Sequence, residues 1–248
     1  DFLYAPRLTA PLVRASLSQW SGADGEGWPS WAFSNHDAPR SVTRWAWHGD
    51  HAHAARLGLL LLLALRGNPI IYQGEELGLP QGHVAFEDLQ DPEAIANWPH
   101  TLGRDGARTP MPWQASAPQA GFSNANRTWL KLDPAHTGFA VDRQAPDPGS
   151  TLSYTRQLLA LRRDFPALVS GDITLLDTPE DIVAFVRRAE GGAVLCAFNL
   201  GDAACQWAPP TGWHDARLLA TDSALSDGSA VPDMLAPGAG YWAAQAGG

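Results

Sequence analysis

Between Leu57 and Leu65 the chain is leucine at every position except Gly58 and Ala64. A surface helix carries one apolar stripe, whereas a helix that is apolar on every face has to be buried on more than one side. The run is far shorter than the ~20 residues that cross a bilayer, so the burial is within protein. The helix frame is legible too. His48-Gly49-Asp50 opens it with Asp50 as N-cap, and Gly67, Asn68 and Pro69 follow Arg66 as a stop. A short apolar run flanks it on each side. Trp31-Ala32-Phe33, bounded by Pro29 and Pro39, and Asn68-Pro69-Ile70-Ile71-Tyr72-Gln73 both read as buried strands. Strand, helix and strand with short joins make a βαβ unit, whose sheet is parallel.

The remaining chain falls into four stretches. From Ala10 to Trp20, the residues Leu12, Val13, Ala15, Leu17 and Trp20 keep helical spacing until Ser21-Gly22-Ala23-Asp24-Gly25 stops them. From Gly74 to Gly149 there is little periodicity and much Pro, Gly, Trp and Asp. A compact domain rarely carries so much irregular chain unless it has a function. A helix returns from Ser150 to Leu168, with Leu152, Leu158, Leu159, Leu161 and Phe165 as its apolar face and Arg156, Arg162 and Arg163 as its polar one; Ser150 or Ser153 caps it. After Gly171 short strand candidates crowd together, at Ile173–Leu176, Ile182–Arg187, Ala193–Phe198, Ala216–Ala220 and Gly240–Ala244, with turns at Glu190-Gly191-Gly192 and Asn199-Leu200-Gly201-Asp202. That pattern reads as an antiparallel sandwich. The domain boundary is expected near Ser170, giving units 1–170 and 171–248.

Composition excludes some functions. A net charge of −9 argues against a nucleic-acid surface. The 45% hydrophobic content is ample for a packed core. Two cysteines, Cys196 and Cys205, make neither a disulfide framework nor a zinc site, and free buried thiols are expected. No cofactor or metal-ligand cluster is expected.

Three clusters carry candidate chemistry. The first is Asn35-His36-Asp37 at the tip of the strand from Trp31, where parallel α/β folds handle ligands. Two readings stand. An imidazole beside a carboxylate suits vicinal hydroxyls, each of which offers a donor and an acceptor. Alternatively, Asn35 and Asp37 bond local backbone N–H groups and merely end the strand. The second cluster is Gly103-Arg104-Asp105-Gly106-Ala107-Arg108, a charge-paired turn in which one arginine serves a ligand and the other serves Asp105 or a neighbour. The third is Gln73-Gly74-Glu75-Glu76, whose carboxylates are expected to hold loop amides or pair with arginines.

Together these segments resemble a family. Phe33-Ser34-Asn35-His36-Asp37, Arg40-Ser41-Val42-Thr43-Arg44-Trp45, Gly67 to Gly78 and Gly103 to Trp113 closely resemble the α-amylase superfamily of glycoside hydrolases, within it the bacterial α-glucosidases and oligo-1,6-glucosidases. The motifs occur in family order over nearly the whole chain. The resemblance implies a fold of class α/β: the C-terminal part of a (β/α)8 TIM barrel, followed by an all-β antiparallel sandwich domain. Trp31 would begin barrel strand seven, Asn68 strand eight, and the irregular stretch would be the loop after strand eight.

The resemblance also implies roles. The family retains anomeric configuration with a carboxylate nucleophile on strand four and an acid/base glutamate on strand five, and neither motif occurs in these 248 residues. Asp37 corresponds to the family's third acid, a transition-state stabiliser that grips the 2- and 3-hydroxyls of glucose with His36. Arg104 is implied to reach the same sugar, and Arg108 and Gln81 are further substrate-binding candidates; His83 and Phe86 are candidates to line the loop side. The implied partners are a small oligosaccharide or α-glucoside and the N-terminal half of the same enzyme, with no nucleic acid and no membrane. The cytoplasm is the expected compartment, with the periplasm as alternative. A glucosyltransferase, a sucrose isomerase and a non-catalytic homologue acting as an interaction subunit are the competing readings.

Overall fold

The computed structural model describes residues 2–20, 27–46, 49–101, 103–226 and 228–245. The expected stop after the first helix at Ser21 to Gly25, and His48 before the next, lie outside the described residues. The helix α1 spans Ala10–Ser18, capped by the Thr9 hydroxyl, with Pro11 in its first turn where its missing N–H is no loss. Strand β1 is Ser30–Ala32, shorter than the apolar run that announced it. The short helix α2, Ser41–Arg44, follows and was not anticipated, so the join to the next helix is long. Helix α3 covers His51–Ala64, and the Asp50 carboxylate accepts from the His53 N–H as its N-cap. Strand β2 is Asn68–Ile70 and pairs parallel with β1, Ser30 opposite Asn68 and Ala32 opposite Ile70.

Gly67 makes the α3–β2 joint. Its φ is +131°, and a Cβ there would sit 2.3 Å from the Pro29 carbonyl. After β2 come 3-10 turns and two short helices, α4 at Pro92–Ala96 and α5 at Val141–Gln144. The expected continuous helix from Ser150 to Leu168 is broken. α6 runs over Thr151–Asp164 with Ser150 as its cap, Phe165 leaves the helix, and α7 covers Pro166–Ser170. Pro166 explains the break, because it has no N–H to continue the ladder and pushes its predecessor out of the helical region. Arg162, expected on the polar face, instead donates to the Leu63 carbonyl at 3.0 Å.

Seven strands follow: β3 Asp172–Leu175, β4 Ile182–Ala189, β5 Gly192–Asn199, β6 Cys205–Gln206, β7 Arg217–Thr221, β8 Met234–Leu235 and β9 Gly240–Ala244. They form an antiparallel five-stranded sheet in the order β3-β4-β5-β9-β7 and a β6-β8 pair. Alternate residues leave opposite faces of a strand. In β4, Ile182, Ala184 and Val186 pack with Trp207, Trp213 and Leu235 on the outer face. Val183 and Phe185 face inward, into one core with Leu57, Leu60 and Leu61 of α3. The five-stranded sheet is thus covered on one face by the β6–β8 side and on the other by helices.

That packing accounts for the all-leucine helix. α3 shares its core with Trp31 and Phe33 around β1, Val13 and Leu17 of α1, Leu158 of α6, and Phe198 and Trp242 of the sheet. Trp242 donates its indole N–H to the Leu60 carbonyl at 3.1 Å. Arg187 of β4 is fully buried and donates to the carbonyls of Ala64, Leu168, Gly171 and Asp172. Carbonyls at the ends of α3 and α7 lack intrahelical partners and carry partial negative charge, so they suit a cation. Burial still pulls the guanidinium down to about 10.

Candidate functional site

The site grows from the end of β1. Regular pairing stops at Ala32, and the chain turns before Pro39. The Asn35 side chain accepts from the Asp37 N–H at 2.8 Å, closing a local turn. Of the two readings of the triplet, the backbone-capping one describes Asn35 and not Asp37. The Asp37 carboxylate faces outward, 40% exposed, with His36 Nε2 at 3.3 Å. Arg108 clasps the same turn, donating from Nε to the His36 carbonyl at 2.7 Å and from Nη2 to Asp37 Oδ1 at 2.9 Å. Arg104 Nη1 stands 3.6 Å from the same oxygen.

Arg104 is itself aimed. Its Nε and Nη2 donate to the two carboxylate oxygens of Asp91, at 3.0 and 2.5 Å. This bidentate pair leaves Nη1 on the Asp37 side. The side-chain bond from Arg104 is the main cause that holds Asp91 down at about 2, and the same bond raises Arg104. Asp105 does not pair with either arginine, contrary to one of the alternatives for the turn. Its carboxylate is buried and accepts from the Gln90 and Asp91 N–H groups. The neighbour that holds Arg104 is Asp91, fourteen positions before Asp105 in the chain. Asp91-Pro92 before α4 is a helix-start pattern that fits Asp91's role as its cap, but nothing in its local sequence points to an arginine partner.

The two glutamates of the third cluster are structural in placement. Glu75 is 5% exposed and accepts from the hydroxyls of Ser34 (2.7 Å) and Ser41 (3.0 Å) and from the Tyr72 N–H (2.8 Å). Burial pushes its carboxyl up, opposed by those bonds. Glu76 accepts from the Gly74 N–H, and burial raises it as well. Glu75 thus ties the β2 tip to the β1 turn that carries Asp37. Gln81 is half-buried; its side-chain carbonyl accepts from the Arg40 N–H at 2.9 Å, and its Nε2 has no hydrogen-bond partner among the described residues. His83 and Phe86 are exposed further along the loop, and Phe86 leans on Trp98 with ring centroids 5.6 Å apart.

Asp37, Pro39, Gly103 and Arg104, with Tyr4, Glu93 and Thr101, line an open cleft of about 540 Å³, within the range of small-ligand sites. A carboxylate fixed by one arginine and approached by a second, beside an exposed imidazole, can accept from and donate to neighbouring hydroxyls. Among the described lining residues Glu93 is the second carboxylate. Among the described residues no three His, Cys, Asp or Glu side chains gather as metal ligands. Both cysteines are free, Cys196 buried and Cys205 partly so. Among the described residues no helix is long and apolar enough to cross a membrane.

Comparison with known proteins gives concordant matches. Residues 8–171 match the family model described as "Alpha amylase, catalytic domain". A "Probable alpha-glucosidase" of Rhizobium meliloti (strain 1021) is 45% identical over 206 residues, covering 82% of this chain and 37% of that protein. "Probable oligo-1,6-glucosidase 2" of Bacillus subtilis (strain 168) is 30% identical over 231 residues, covering 84% of this chain and 41% of that protein. In structure, the chain superposes on an "alpha-glucosyl transfer enzyme, XgtA" with a TM-score of 0.83 at 40% identity, over 99% of this chain and 45% of that one. The chain thus spans less than half the length of the relatives it matches.

Proposed function

Because the chain belongs to the α-amylase family, we propose that it forms the glucose-holding side of a retaining α-glucosidase acting on short α-glucosides. The observation that carries this is Asp37: an outward-facing carboxylate at a parallel strand tip, clasped by Arg108 and flanked by Arg104 and His36. In this reading residues 1–170 complete a (β/α)8 barrel with a preceding N-terminal half, β1 and β2 being strands seven and eight. Residues 171–248 form the following β-sandwich domain.

The proposed division of labour is the one the family resemblance implies, and the placement of Asp37, His36 and Arg104 supports it. Asp37 accepts from the 2- and 3-hydroxyls of the bound glucose, and His36 and Arg104 complete the grip. These hydrogen bonds strengthen as the ring flattens toward the oxocarbenium-like transition state, so they stabilise it more than the ground state. Arg108 holds the Asp37 turn in place, bonding both the His36 carbonyl and the Asp37 carboxylate. The carboxylate that attacks the anomeric carbon and the acid that protonates the leaving oxygen come from the other barrel strands, and by the general rule they stand roughly 5–5.5 Å apart.

Retention is the test. Proton NMR of the first glucose released from maltose or an aryl α-glucoside by the full-length protein is expected to show the α-anomer. Release of β-glucose, or no turnover, would overturn the proposal. A second reading, transfer of glucose to an acceptor other than water, is favoured by the 40% identity to the protein named an α-glucosyl transfer enzyme. Both outcomes share the covalent intermediate and the same use of Asp37.

A further inference from the structure

Arg40 has no role in the chemistry described so far, yet it is one of the largest fully buried side chains. A buried guanidinium is costly unless its donors are met. Among the described residues no carboxylate forms an ion pair with it; carbonyls meet its two terminal nitrogens, while Nε is buried without a hydrogen-bond partner. Nη1 donates to the Gln73 carbonyl at 2.5 Å, and Nη2 donates to the Ala107 carbonyl at 3.1 Å. Its plane lies over the Tyr72 ring, 5.3 Å from the centroid. The Ala107 carbonyl also accepts from the Tyr72 hydroxyl at 2.9 Å and from Gln73 Nε2 at 3.3 Å. Three donors thus converge on one carbonyl.

That carbonyl lies in the arginine turn, between Arg104 and Arg108. Arg40 itself sits three residues after Asp37, on the same turn, with its own N–H fixed by Gln81. Its guanidinium therefore joins the chain that bears Asp37 to the chain that bears Asp37's two arginine neighbours, with the β2 tip as the third anchor. The cradle is shaped for it. Gly74 has φ +89°, and a Cβ there would come within 2.9 Å of Arg40 Nη1. A lysine has one compact ammonium and cannot span two carbonyls as the planar fork does.

We infer that Arg40 is a positioning residue that sets the distance between Asp37 and the Arg104–Arg108 turn. The inference rests on the reading of Asp37 as the sugar-gripping acid. Its effect is transmitted through Arg108, so it belongs to the transition state more than to substrate binding.

The test uses the full-length enzyme and an aryl α-glucoside, assayed well below the melting temperature. Arg40→Lys is expected to lower kcat/KM by about tenfold or more, chiefly in kcat. In a double-mutant cycle with Arg108→Lys the two losses are expected to fall well short of additive, as they do for residues acting through one another. Arg187→Lys is the control for buried-arginine destabilisation: it should lower the melting temperature while leaving kcat/KM within about twofold. Wild-type kcat/KM in Arg40→Lys, full additivity with Arg108→Lys, or an equal loss in Arg187→Lys would overturn the assignment. No turnover by the wild-type enzyme would instead overturn the functional reading, and this inference with it.

Discussion

At the level of single residues, the site is a matter of which acid holds which arginine. Asp37 faces the cleft, whereas Asp91 is buried behind Arg104, aims it and caps α4. Asp91 has a folded pKa of about 2 against an ordinary 3.8. A depressed carboxylate contributes stability that is fully present above its unfolded pKa and is lost as pH falls through the folded one. The melting temperature should therefore drop between about pH 4 and pH 2, and Asp91→Asn should flatten that part of the curve. An unchanged acid limb in Asp91→Asn would refute this role. Because Arg104 then loses its aim, the same variant should raise KM for α-glucosides in the full-length enzyme. The roles of Asn35 and Asp37 separated only in three dimensions. Both are short polar residues at a strand end, and their spacing suits a cap or a ligand equally well. Asp91 and Arg104 lie thirteen residues apart with α4 between them, so no local pattern carried their pairing.

At the level of elements, the chain announced itself well where burial sets a period. The capped leucine helix, the parallel pair around it and the main antiparallel strands all followed from apolar spacing and turn residues. The irregular stretch was legible only as irregular, because its order comes from side chains bonding backbone, as Asp105, Glu75 and Gln81 do. The break at Phe165 comes from Pro166, which overrides the helical leucine spacing across it. Two measurements bear on this scale. Leu61, fully buried in the shared core, should cost about 2.7–5 kcal/mol as Leu61→Ala in chemical denaturation. A loss under ~1 kcal/mol would mean that α3 is not enclosed on all sides. Ser150→Ala should cost about 1 kcal/mol by removing the cap bond to the Ser153 N–H, with little effect on activity.

At the level of the whole molecule, helices and sheet share one core, with Arg187 and Trp242 bridging them through backbone carbonyls. The sheet thus braces the outer side of α3, the helix that joins the two site-bearing strands. A closed barrel needs eight strands, and the parallel sheet among the described residues has two. These 248 residues by themselves are expected to show no glycosidase activity, and turnover of p-nitrophenyl α-glucoside by them alone would contradict the division of labour proposed above. The central claim, that Asp37 grips the sugar as it approaches the transition state, is tested most directly by kcat/KM of Asp37→Ala in the full-length enzyme. The expected result is a loss on the order of 10³-fold or more with an unchanged fold. A rate near that of the wild type would show that Asp37 merely anchors the arginine turn.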